Sequence, residues 1–296
     1  MNNGAQTLRK LLEGKKTVVA PGVFSPSVAK LAERLGFKAV YFSGAAFSNL
    51  MGLPDLGVTT LTEVAGAVRS ITNVTSLPLI ADIDTGFGEA LNVARTVKEL
   101  KGSGAAAVQL EDQVLPKKCG HLDGKEVVDR DEMVKKLVAA KQAARKDMMI
   151  VARTDARAVE GFDEAVERAR YYQRAGADII FPEALTSRKE LLEFRKKVPG
   201  PLLANMTEFG KTPYLPATEF EAMGYNIVIF PVTAFRAMMK SVDVTLRVLK
   251  EKGTQEPILD ELMTRDQFNE IIGYSEYEKA DRRATDAARR IRKARA

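Results

Sequence analysis

Residues 78–86 read Pro78-Leu79-Ile80-Ala81-Asp82-Ile83-Asp84-Thr85-Gly86, a short apolar run that ends in two carboxylates and a turn. A strand apolar on both faces belongs in a parallel sheet covered by helices. The pattern recurs along the 296 residues: Thr17–Ala20, Ala39–Phe42, Pro78–Ala81, Ala106–Leu110, Met148–Ala152, Asp178–Phe181, Pro201–Ala204 and Asn226–Phe230 all read as strands. Between them lie amphipathic stretches with helical spacing, among them Ser27–Leu35, Leu91–Gly102, Arg130–Arg145, Phe162–Ala175 and Ser187–Lys197. Eight strand–helix units in this length predict an α/β fold, a (β/α)8 barrel of TIM type. An open doubly wound sheet is the alternative. No Gly-x-Gly-x-x-Gly follows the first strand, which counts against a dinucleotide-binding form of it.

The strand ends carry the chemistry. Strand two runs into Ser43-Gly44-Ala45-Ala46 and strand three into Asp82-Ile83-Asp84-Thr85-Gly86. Strand four ends Glu111-Asp112, strand five Arg153-Thr154-Asp155 and strand six Pro182-Glu183. Strand seven ends Asn205-Met206-Thr207-Glu208 and strand eight Pro231. In a barrel these ends converge on one mouth, where catalytic groups sit. Ordinary strand ends favour Gly, Asn, Ser and Lys; carboxylates dominate here.

Asp82 and Asp84, two apart, share a face if the chain stays extended. Glu111 from the adjoining strand is the third member of an oxygen-only set, which suits Mg2+ or Mn2+ rather than Zn2+. So many acids repel one another in a dry pocket unless a cation neutralises them. Arg153, Asn205, Thr207 and Ser43 beside such a site suit an anionic, oxygen-rich ligand, with Arg153 offering its fork to a carboxylate. The backbone N–H groups of Ser43–Ala45 offer an anion nest. A small hydroxy or keto acid is the expected ligand.

The only cysteine and the only histidine stand two residues apart in Leu115-Pro116-Lys117-Lys118-Cys119-Gly120-His121. A thiol beside positive charge loses its proton more readily. The Pro- and Gly-punctuated segment reads as a mobile loop carrying a proton donor.

Composition bounds the rest. With 45% apolar and 28% charged residues the chain is an ordinary globular one, long enough for one large α/β domain or two modest ones. One cysteine forms no internal disulfide, so a cytoplasmic location is expected. No apolar run approaches a membrane span, and Met1–Lys16 lacks a signal-peptide core, so no membrane partner is expected. The net charge of +6 is concentrated at the end. Arg282, Arg283, Arg289, Arg290, Arg292, Lys293 and Arg295 face only Asp281 and Asp286. No aromatic residue interleaves these arginines as a stacking site would want. A solvated or subunit-contacting helix explains the tail better than nucleic-acid binding, which also leaves the acidic strand ends unexplained.

Assembled, these motifs closely resemble the isocitrate lyase and phosphoenolpyruvate mutase superfamily. The resemblance runs from about Thr7 to Tyr277. It rests on Tyr41-Phe42-Ser43-Gly44, Gly52-Leu53-Pro54-Asp55, Asp82-Ile83-Asp84-Thr85-Gly86-Phe87-Gly88, Gln109-Leu110-Glu111-Asp112, Lys117-Lys118-Cys119-Gly120-His121, Ala152-Arg153-Thr154-Asp155-Ala156 and Asn205-Met206-Thr207-Glu208-Phe209-Gly210. The Lys-Lys-Cys-Gly-His loop marks the lyases of the superfamily.

The resemblance implies cleavage of a tricarboxylate, 2-methylisocitrate, to pyruvate and succinate by retro-aldol chemistry. Related lyase or decarboxylase activities on isocitrate, dimethylmalate or oxaloacetate are the alternatives. It implies Mg2+ (or Mn2+) on Asp82 and Asp84, with Glu111 nearby. Cys119 would be the general acid, and Tyr41 or Asp55 the base. Arg153, Glu183, Asn205, Met206 and Thr207 would hold carboxylates and metal-bound water, and Ser43, Gly44, Ala45, Gly120 and His121 would frame the ligand. Arg236 and Arg265 match further substrate contacts. Phe181, Ile229 and Pro231 fall where a methyl pocket is expected. Some members carry a glycine run where this chain has Ala45-Ala46. The resemblance also implies a single barrel domain over 1–296. Residues of about 235–296 would form C-terminal helices that pack on or swap with a neighbouring subunit of a homotetramer.

Overall fold

A computed structural model describes residues 4–293. The chain divides into two units, Met1–Ala237 and Met238–Ala296. The first is a (β/α)8 barrel. Its strands are β1 (Val18–Val23), β2 (Val40–Phe42), β3 (Leu79–Asp82), β4 (Ala107–Glu111), β5 (Met149–Thr154), β6 (Ile179–Pro182), β7 (Leu203–Asn205) and β8 (Ile227–Phe230). All pair in parallel in the order β6-β5-β4-β3-β2-β1-β8-β7. An Ile180–Leu202 bridge brings the two edges together, so the barrel is nearly closed.

The helices of this unit are α1 (Gly4–Glu13), α2 (Pro26–Arg34), α3 (Gly44–Leu50), α4 (Leu61–Thr72), α5 (Ala90–Gly102), α6 (Arg130–Ala144), α7 (Ala156–Val159), α8 (Phe162–Arg174), α9 (Arg188–Lys197) and α10 (Ala217–Met223). Most of the expected boundaries hold to within two residues. Ser187 illustrates why they stop there: its hydroxyl accepts from Glu190 N and caps α9 from outside. One expectation changes form. Ser43–Ala45 is the cap and start of α3, where Ser43 Oγ accepts from Ala46 N and Gly44 N is committed to Asp82 Oδ2 at 3.2 Å. The Ala45-Ala46 departure is thereby harmless, because a helix suits alanine.

Strand periodicity sorts two cores. Ile80, Ala107, Met149, Val151, Ile179, Phe181, Leu203, Ile227 and Ile229 fill the barrel, and α1 plugs its lower end with Leu8. Leu79, Ala81, Val108, Leu110, Ile150, Ala152, Ile180, Ala204 and Val228 face the helices. The barrel-facing phase, carried on to the upper strand ends, leads to Asp82, Glu111, Arg153, Glu183 and Asn205. Glu111 and Arg153 are direct register partners on β4 and β5.

The second unit holds the rest of α11 (Thr233–Lys252), a 3-10 turn (Glu256–Glu261), α12 (Arg265–Ile272) and α13 (Tyr274–Lys293). Leu246, Leu249, Leu259, Met263, Phe268 and Tyr277 are exposed on it. The basic tail is helical and exposed through Lys293, while Arg295 lies outside the described residues. Among the described residues no helix is long and apolar enough to cross a membrane.

Candidate active site

A cavity of about 210 Å3 opens at the C-terminal mouth of the barrel. Tyr41, Ser43, Ala45, Asp55, Asp82, Arg153, Phe181, Glu183, Asn205, Thr207, Ile229, Pro231 and Arg236 line it, with Cys119, Gly120 and His121 from the β4–α6 connection. Most of the expected residues meet here, drawn from six strand ends and the loops that follow them.

Besides the expected metal ligands Asp84 and Glu111, three expected residues do not line it. Met206 turns into the helix-side core, because it is one residue out of phase with Asn205. Arg265 is exposed at the start of α12 in the second unit and is not among the lining residues. Gly44 lies behind the lining, with its N–H committed to Asp82.

The expected metal set is only partly assembled. Among the described residues no three His, Cys, Asp or Glu side chains converge as a ligand shell. Asp84 has φ of 47°, so the extended geometry that would align it with Asp82 ends at the strand. The pair nevertheless faces one point. A Cβ added to Gly44 would lie 3.1 Å from Asp82 Oδ2 and 3.4 Å from Asp84 Oδ1. Glu111 is instead covered by Arg153, whose Nη1 is 3.1 Å from Glu111 Oε2. In this acid set the buried oxygens Asp84 Oδ1 and Glu111 Oε1 lack hydrogen bonds. Lys117 Nζ lies 2.8 Å from Asp84 Oδ1 but is not aligned to bond it. Burial, then the neighbouring Asp84, raises Asp82 to about 6. Burial also drives Glu111 upward, against the pull of Arg153. Crowded carboxylates with open lone pairs fit a hard divalent cation that takes one or two protein oxygens and keeps its waters. Asp82 and Asp84 are the residues that could hold one.

Arg153 is not the free fork expected of it. Its Nε and Nη2 grip Asp155 Oδ2 and Oδ1 at 2.9 and 3.0 Å, so the bidentate edge is already used. The remaining edge reaches Glu111 and Glu183, and the plane lies over the Phe181 ring. Burial alone would raise Glu183, but Arg153 and His121 outweigh it and hold the carboxyl at about 2. His121 Nε2 is 3.0 Å from Glu183 Oε1, and Asn205 Nδ2 donates to Oε2 at 3.1 Å. His121 Nδ1 accepts from Lys211 N at 2.9 Å, which leaves the ring proton on Nε2, facing Glu183.

Tyr41 donates to Gln109 Oε1 at 2.5 Å. Burial, then Asp82, pushes the phenol well above 10.0. Asp55 bonds the ammonium of Lys117.

The loop is folded back on itself by a Gln113–Val127 bridge and by Gln113 bonding both the N–H and the carbonyl of Lys118. It lies over the cavity with Cys119 half-buried. Here the structure reverses a sequence expectation. Burial raises the thiol above its ordinary 9.0, and Glu183 and Asp55 push it the same way. The two lysines do not activate it, because Lys117 reaches Asp55 and Asp84 while Lys118 bonds Gly124 O. A thiol kept protonated is a proton donor at rest.

Sequence reasoning passed over Lys117, Gln109 and Asp155 as site members. Period two from Glu111 and Arg153 would have found Gln109 and Asp155. Lys117 had no such signal, since only the fold brings it to the acids.

The phosphoenolpyruvate phosphomutase family model matches residues 8–250. The chain is 60% identical over 274 residues to a 2-methylisocitrate lyase of Aeropyrum pernix, covering 93% of this chain and 89% of that one. It is 49% identical over 278 residues to a 2-methylisocitrate lyase of Bacillus subtilis, covering 94% and 92%. Among solved structures, a 2,3-dimethylmalate lyase superposes with a TM-score of 0.90 at 39% identity, over 96% of each chain. A phosphonopyruvate hydrolase complex with oxalate and Mg2+ superposes with a TM-score of 0.86 at 32% identity, over 95% of this chain and 99% of that one.

Proposed function

The chain belongs to the phosphoenolpyruvate phosphomutase family, and on that premise we propose that it is a lyase that splits 2-methylisocitrate into pyruvate and succinate at the barrel mouth. One observation carries the reading. A protonated thiol, Cys119, lies on a loop over the same cavity that gathers Asp82, Arg153 and Glu183. The names of the relatives point to the same substrate.

Asp82 and Asp84 would hold Mg2+, or Mn2+ in its place, which supplies Lewis-acid charge for the hydroxy-acid end of the substrate. The protein's own groups move the protons. A base takes the substrate hydroxyl proton as the C–C bond breaks and pyruvate's carbonyl forms. Tyr41 is a poor acceptor at rest, since it is a buried phenol already donating to Gln109. Asp55, a carboxylate lining the cavity, takes the role. The electron pair of the broken bond stays on the succinate fragment, and Cys119 Sγ gives its proton to that carbon. The proton held at Asp55 balances the resulting thiolate when the site resets.

Asn205, Thr207, Ser43 and Arg236 orient the carboxylates, while ionised Glu183 fixes His121 and Asn205 in place, and Gly120 and His121 close over the ligand. Phe181, Ile229 and Pro231 give the cavity an apolar wall for the methyl group. The exposed apolar side chains of the second unit support its packing against a neighbouring subunit in a homotetramer. A cytoplasmic enzyme without nucleic-acid or membrane partners completes the reading.

A coupled assay tests it. Pyruvate release from 2-methylisocitrate with Mg2+ is the expected result, with slower glyoxylate release from isocitrate. Cleavage of neither, with 2,3-dimethylmalate and oxaloacetate as further substrates, would sink the reaction class.

A further inference from the structure

The loop over the cavity is fixed at three places. Lys117 reaches Asp55 and Asp84, and His121 is held between Glu183 and Lys211 N. The third fastening lies outside the cavity lining. Lys125 is buried, with its ammonium donating to Gly120 O and 3.6 Å from Asp155 Oδ1. Asp155 is the carboxylate that grips Arg153. One buried charge thus joins the Gly120–His121 peptide to the scaffold beneath it.

The fit at Gly120 makes this join exacting. A Cβ there would lie 2.3 Å from Glu183 Cγ and 2.4 Å from Arg153 Nη2. The backbone of residue 120 rests directly on the two charged side chains, so a small shift of its carbonyl moves Cys119 with it. Energetics point the same way. A buried ammonium needs its partners, and lifting the loop away would strip Lys125 of Asp155 on the barrel. That penalty favours the closed loop.

We propose that Lys125 is a positioning residue: by tying the Gly120 carbonyl to the Asp155–Arg153 pair, it holds the loop closed and sets Cys119 over the cavity. The proposal rests on the reading of Cys119 as the proton donor.

Cys119 is the only thiol in the chain, so its alkylation by iodoacetamide reads loop opening directly. In Lys125→Met the alkylation rate should rise about tenfold or more, as a loosened lid exposes what it covered. Turnover should fall by about tenfold or more while KM moves less than about threefold, because the barrel-mouth contacts remain. Lys125→Gln removes the charge but keeps a donor; it should show the same effects more weakly, and serves where Lys125→Met does not fold. Unchanged alkylation in the folded variant overturns the proposal whatever happens to turnover. Faster alkylation with unchanged kcat overturns the positioning role. Failure of the lyase reading looks different: the unsubstituted enzyme would cleave no substrate, while the alkylation comparison would still judge the latch.

Discussion

Lys117 Nζ lies 2.8 Å from Asp84 Oδ1. An ammonium carried by the loop therefore enters the acid cluster at the end of β3. It is held charged there: burial opposes it, but Asp84, Glu111, Asp55 and Asp82 outweigh that cost and raise it above its ordinary range. When the loop lies over the barrel it brings positive charge to the carboxylates as well as a thiol to the substrate.

Replacing Cys119 by Ser should cut kcat by about a hundredfold or more, since a hydroxyl is a far weaker acid than a thiol. The fold should survive, because Ser fills nearly the same space in a half-buried position. Pyruvate release and thermal melting measure the two. Near-normal turnover would remove Cys119 from its role.

Asp84→Ala should lower turnover and weaken Mn2+ binding together. The variant deletes one of the two carboxylates that face Gly44 and frees Lys117 from its partner. Mn2+ titration followed by electron paramagnetic resonance gives the affinity without relying on activity. Unaltered affinity would place the ion elsewhere.

Glu183 should make the protein acid-sensitive. Its folded pKa, about 2, lies below the ordinary 4.5, with burial opposing the shift and Arg153 and His121 producing it. A depressed carboxyl adds stability that is fully present above the unfolded value and is lost as pH falls through the folded one. Between those limits the group's contribution, on the order of 3 kcal/mol, should disappear. Glu183→Gln lacks the titration. Its deficit against the unsubstituted protein in urea unfolding should therefore be largest at pH 7 and shrink towards pH 3. Parallel stability curves would contradict the assignment.

The apolar wall should discriminate only partly. One methyl group in such a pocket contributes about 1–3 kcal/mol, so kcat/KM should favour 2-methylisocitrate over isocitrate by about 10–200-fold. Ile229→Ala, which removes contact from a side chain that is 1% exposed, should bring that ratio down. A ratio unchanged by the substitution would mean that the methyl group points elsewhere.

The fold is legible in the sequence because the strands are apolar on both faces and most of them end in a polar cluster. Asp82, Arg153, Glu183 and Asn205 follow from that repetition, since a barrel gathers its strand ends. Met206 and Lys117 do not. Beyond a strand end the alternation must be followed residue by residue, and Met206 falls on the wrong beat. Lys117 meets Asp84 across the mouth, a contact set by the loop's path. Cys119 shows the same limit. Its neighbours in sequence are lysines, but its neighbours in space include Glu183 and Asp55, and these with burial set its proton affinity.

Glu111 and Arg153 face one another because β4 and β5 pair in that register. A slip by two residues would keep every side chain on its own face yet set Gln109 against the guanidinium. Correct zippering of these two strands therefore also places the guanidinium that covers Glu111. Engineers who graft new loops onto this scaffold keep that strand-to-strand pair but must restore the charge that Lys117 carries; those who redraw the sheet must rebuild both.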